Sequence, residues 1–97
     1  MPRFVIEREI PGIGAWGPER LQKAAERSRA VLRELGPDIQ WVTSYVTADT
    51  LYCVYIASGP DIIREHAAQG GFPCNRISEV RAVIDPTTAE APSGVRG

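Results

Sequence analysis

Ile39-Gln40-Trp41-Val42-Thr43-Ser44-Tyr45-Val46-Thr47-Ala48-Asp49-Thr50-Leu51-Tyr52-Cys53-Val54-Tyr55-Ile56-Ala57 decides the fold. Ile39 to Thr47 and Thr50 to Ala57 are rich in β-branched and aromatic residues, and Ala48-Asp49 leaves two residues between them, the spacing of a tight β-hairpin. On its N-terminal side, Gly36-Pro37 stops a stripe of Leu21, Ala24, Ala25, Ser28, Val31, Leu32 and Leu35 that begins after Pro18; three-and-four spacing predicts a five-turn amphipathic helix with Ser28 as its one polar member. Before that helix, Phe4 to Ile10 reads as a strand closed by Pro11-Gly12. Beyond the hairpin, Gly59-Pro60-Asp61 opens a shorter helix with Ile62, Ile63, His66 and Ala67 on one face, Gly70-Gly71 ends it, and Arg76 to Ile84 supplies a last strand.

The order β-α-β-β-α-β is that of the α+β ferredoxin-like fold, a four-stranded antiparallel sheet with both helices on one face. At 97 residues there is one core, assigned to residues 1–85, with a flexible tail expected over 86–97, where prolines and small polar residues replace apolar ones. The chain carries 11 Lys+Arg against 12 Asp+Glu, a balance that argues against nucleic acid as the main partner. Neither a signal peptide nor a membrane span is legible, so a cytoplasmic protein with reduced thiols is expected. One histidine and two cysteines cannot supply a four-ligand Cys/His zinc centre from a single chain.

Alternation assigns the sheet faces. With Phe4, Ile6, Val42, Val46, Val54, Ile56, Val80 and Ala82 toward the helices, the other face carries Glu7, Trp41, Tyr45, Leu51, Cys53, Tyr55, Ile77 and Glu79 among others. Such an apolar, aromatic face predicts that two subunits press together into a homodimeric αβ-barrel.

Few residues can carry chemistry. His66 reads either as a core histidine satisfied by hydrogen bonds or as a metal ligand or general acid/base at a pocket mouth, where Gly70-Gly71 leaves space beside the imidazole. Glu7 and Glu79, of like parity on neighbouring strands, form either a carboxylate pair able to relay protons or hold a hard cation, or cross-strand partners of Arg8 and Arg81. Cys53 and Cys74 read as small hydrophobes, while Trp41, Tyr45, Cys53 and Tyr55 are the natural walls for a small-molecule ligand. Gly12-Ile13-Gly14 lacks the remaining glycine and lysine of a phosphate loop.

Met1-Pro2-Arg3-Phe4, Leu51-Tyr52-Cys53-Val54, Ile63-x-x-His66 leading into Gly71-Phe72-Pro73, and Ile77-x-Glu79-Val80 follow one another in residues 1 to 89. In these the chain resembles a family of small bacterial ferredoxin-like proteins, of unknown function and in part nickel-binding. The resemblance implies a dimeric αβ-barrel and, in the nickel-binding branch, histidines on the first strand. Here that strand reads Ile6-Glu7-Arg8-Glu9 and has none, whereas the position of His66 carries over. Three functions are consistent with these residues. The first is a homodimer binding a small ligand or a divalent metal such as nickel, with His66, Glu7 and Glu79 as its polar groups. The second is a cofactor-independent monooxygenase or isomerase, with His66 as base and Tyr45 or Tyr52 orienting the substrate. The third is a purely structural or regulatory dimer.

Overall fold

The hairpin forms where the sequence places it. In a computed structural model that describes residues 1–90, strand β2 (Ile39–Val46) turns through Ala48-Asp49 into β3 (Thr50–Ala57). Neither turn residue has the positive φ that a type I′ hairpin turn requires. Instead the Thr47 hydroxyl donates to the Thr50 carbonyl at 2.8 Å and accepts from the Thr50 N–H at 3.2 Å, closing the turn with a side chain.

Strand β1 (Arg3–Glu9) pairs antiparallel with β3 on one side and with β4 (Arg76–Glu79) on the other, giving the sheet order β2-β3-β1-β4. Helix α1 (Pro18–Leu35) starts with Pro18 in its first turn and ends at Gly36, whose φ of 85° suits glycine. Helix α2 (Pro60–Gly70) ends at Gly71 with φ 70°, where the Phe72 N–H closes onto the Ala67 carbonyl at 2.9 Å. Both helices pack on the sheet face that carries Phe4 and Ile6. This is the ferredoxin-like arrangement expected from the element order.

The faces of three strands differ from the expected assignment; in β4, Ile77 and Glu79 lie opposite Ile6 and Phe4 and so turn toward the helices. Phe4 and Ile6 lie opposite Tyr55 and Cys53, so β3 turns Leu51, Cys53, Tyr55 and Ala57 toward the helices and Tyr52, Val54 and Ile56 away from them. β3 is apolar on both faces, so its alternation carries no preference, and the buried side is fixed by the neighbouring β1. In β2 a bulge at Val42 sets Trp41 opposite Tyr55 and Thr43 opposite Val54. Trp41 therefore points inward and Val42 outward, and the extra residue restores the expected inward side of Val46.

β4 is shorter than the expected Arg76–Ile84 because β1 begins at Arg3, whose carbonyl takes the last bond from the Val80 N–H at 2.8 Å. Past that point the chain runs free of the sheet, leaving Val83 and Ile84 71% and 78% exposed, until Asp85 caps a 3₁₀ turn at Pro86–Ala89. Of the tail expected over 86–97, residues 91–97 lie outside the described residues.

Candidate functional site

Between the sheet and α1 lies a cavity of about 190 Å³. Leu21, Ala24, Ala25 and Ser28 of α1 form one wall, Trp41, Leu51, Cys53 and Tyr55 of the hairpin the opposite one, and Ile13, Trp16, Phe72 and Arg8 close the ends. The space exists because α1 presents alanines where it crosses the bulky hairpin residues, while a 3₁₀ turn at Ile13–Ala15 folds Ile13 inward to 1% exposure. That turn is pinned by the Gly14 N–H donating to the Ala48 carbonyl at 3.0 Å, and a Cβ on Gly14 would meet the Ala48 backbone at 2.9 Å. Trp41 donates its indole N–H to the Ser44 hydroxyl at 2.9 Å, so this wall has its polar atom satisfied. Among the described residues, no acidic side chain lines the cavity.

Three buried polar residues gather at one end. Arg8 follows Phe4 and Ile6 at two-residue spacing, which carries its side chain into the core at 1% exposure. Its Nη1 donates to the Pro73 carbonyl at 2.7 Å, while Nη2 is buried and has no hydrogen-bond partner among the described residues. His66 is fully buried, sharing a hydrogen bond of 3.1 Å between its Nε2 and the Ser28 hydroxyl, and its Nδ1 is likewise unpartnered. The imidazole stacks on Phe72 at 5.6 Å and meets Tyr55 edge-on at 5.3 Å. The Arg8 guanidinium lies 6.0 and 5.6 Å from those same two ring centres. Burial, and then the nearby Arg8 charge, push the His66 pKa down to about 4, so at neutral pH the ring is uncharged. Burial likewise raises the Tyr55 phenol above its ordinary value.

Trp41, Cys53 and Tyr55 therefore line the cavity, whereas the other expected site residues do not gather there. Glu7 sits opposite Tyr52 and Arg76 on the far face of the sheet, 3.8 Å from the Arg76 guanidinium, while Glu79 sits opposite Phe4 on the helix side, 3.9 Å from Arg81. The one-residue difference in register puts the two carboxylates on opposite faces, so they do not form the expected pair. Tyr45 and Tyr52 also lie on the far face, with the sheet between them and His66. The space expected beside the imidazole is filled by the Phe72 ring, which covers Gly70. Cys74 is half-buried and packs at the edge of the core, and both thiols are free.

These placements test a resident nickel ion. The only imidazole is buried, has Nε2 engaged by Ser28 and stands beside a permanent cation; among the described residues no three His, Cys, Asp or Glu side chains come together. The side chains of one chain do not fit such an ion. Among the described residues, no helix is long and apolar enough to cross a membrane.

Sequence reasoning missed Arg8, although its parity with Phe4 and Ile6 was a usable signal, and it missed Phe72 and Ile13, which sit in loops without periodicity. No curated protein matches the chain. Its fold is similar to that in the crystal structure of SCO4226 from Streptomyces coelicolor A3(2), with a TM-score of 0.72 and 15% identity over 84% of this chain and 99% of that one. The model of the nickel responsive protein SCO4226-like family matches residues 4–80, and the chain belongs to that family.

Proposed function

We propose that the protein binds a small, largely apolar molecule in the cavity between its sheet and helices, and does so as a homodimer. The cavity itself carries this reading: at about 190 Å³ it is somewhat larger than the roughly 150 Å³ apolar cavity that admits benzene. A single ring with a short substituent, or a short alkyl chain, fills such a volume. The family is described as nickel responsive. For this chain, ligand binding accounts for the buried residues better than nickel coordination does, because His66 is committed to Ser28 and Glu7 and Glu79 are apart.

The homodimer is supported by the sheet face away from the helices. Val5, Tyr52, Val54 and Ile56 are half-buried there and Val42 and Tyr45 are 46% and 61% exposed, an apolar surface in place of the polar one that a solvated sheet presents.

Both tryptophans of the chain, Trp16 and Trp41, line the cavity, so their fluorescence reports occupancy. Titration with small single-ring compounds is expected to give a saturable change that Ala24→Leu, which fills the space, abolishes. Identical responses from wild type and variant would contradict the reading.

A further inference from the structure

Arg8 is the one cavity-lining residue whose chemistry the apolar walls leave unanswered. It is 1% exposed, so a guanidinium is held in the core. Among the described residues no carboxylate lies within ion-pair distance of it; the ion pairs present join Arg64 to Asp61, Arg76 to Glu7 and Arg81 to Glu79. One backbone carbonyl satisfies Nη1. The Tyr55 and Phe72 rings offer the positive charge their π faces but give Nη2 no acceptor. His66 beside the same rings is neutral and has an unpartnered nitrogen of its own. A buried cation left in this condition costs several kcal/mol unless something supplies the counter-charge.

Resting on the cavity reading above, we propose that the ligand is a small apolar carboxylate, its body against Trp41, Leu51 and Ile13 and its head group received by Arg8. A carboxylate supplies one negative charge to one guanidinium and offers Nη2 the acceptor it lacks. A phosphate or sulfate ester is a poorer match, since a group with three acceptor oxygens would meet a single buried cation and walls that are otherwise hydrocarbon. Among the described residues the lining contains no acidic side chain to repel an anion, and Arg20 lies over the ring of the lining residue Trp16 at 3.7 Å.

Matched pairs of acid and primary amide separate the two levels of the inference: benzoate and benzamide, phenylacetate and phenylacetamide, hexanoate and hexanamide, titrated calorimetrically at pH 7.5 into the intact protein. At least one acid is expected to bind in a saturable way and at least tenfold more tightly than its amide, and Arg8→Met is expected to lose that preference while still taking up the amide. An amide that binds wild type as tightly as its acid would overturn the carboxylate assignment and leave the cavity reading standing. Failure of every compound to bind would overturn both. The acid and amide comparison in wild type decides the matter even if Arg8→Met does not fold.

Discussion

Ser28 of α1 and His66 of α2 meet in the core, hydroxyl to Nε2 at 3.1 Å, and this contact ties the two helices together above Tyr55. It also explains why one serine interrupts the apolar stripe of α1: the position faces a buried imidazole that needs a hydrogen-bonding partner.

The first prediction concerns pH. The folded His66 takes up a proton only near pH 4, whereas in the unfolded chain it does so near 6.5. Between these values the unfolded state binds the proton that the folded state refuses, so stability falls as pH drops from 6.5 toward 4, by on the order of 3 kcal/mol at the limit. Urea unfolding at pH 5 and pH 7.5 should show this loss in wild type and a much smaller one in His66→Gln, in which the titrating group is gone. Equal losses in both proteins would remove His66 as the cause.

Gly70 is a packing requirement. A Cβ there would overlap the Phe72 ring, which stacks on His66. Gly70→Ala should destabilise the fold by about 1–3 kcal/mol despite the better helix propensity of alanine. It should also move the His66 pKa up from about 4, because the ring that shields the imidazole is displaced. Thermal melts check the first effect and an NMR titration of the imidazole the second. An unchanged pKa would mean that Phe72 does not control the burial of His66.

Ala24 marks where helix and hairpin fail to touch. Ala24→Leu should occupy that space and raise stability by about 0.5–2 kcal/mol, visible as a higher Tm. A drop in Tm would indicate that the wall opposite Trp41 has no room, contrary to the cavity described.

The open sheet face should hold the proposed dimer together. Val54 lies between Val5 and Thr43 on that face, so Val54→Lys places a charge at the centre of the apolar surface. Sedimentation should give twice the chain mass for wild type and the single chain mass for the variant. A monomeric wild type would eliminate the dimer.

The helices and the hairpin were legible in the sequence because their signals are local: the spacing of Leu21 to Leu35, the stops at Gly36-Pro37 and Gly70-Gly71, and the two-residue gap at Ala48-Asp49. What failed was parity in β3, where Tyr52, Val54 and Ile56 are as apolar as Leu51, Cys53 and Tyr55, and in β2, where the bulge at Val42 is invisible to alternation. Those two errors moved Trp41 and Tyr55 to the wrong face, and a third, in β4, did the same to Ile77 and Glu79. The same reasoning read Glu7 and Glu79 as a pair, although their register to β1 and β4 sets them on opposite sides. Arg8 was hidden by its charge, flanked by Glu7 and Glu9 in what reads as a solvated run, although the parity of Phe4 and Ile6 points it inward.

The most direct test of the account locates a bound ligand relative to the two sheet faces. With phenylacetate bound to isotope-labelled protein, intermolecular NOEs should connect its ring protons to the methyl groups of Ile13, Leu51, Ala24 and Ala25. NOEs to Val5, Val54 and Ile56 in their place would put the ligand on the open sheet face and contradict the assignment of the cavity between sheet and helices as the binding site.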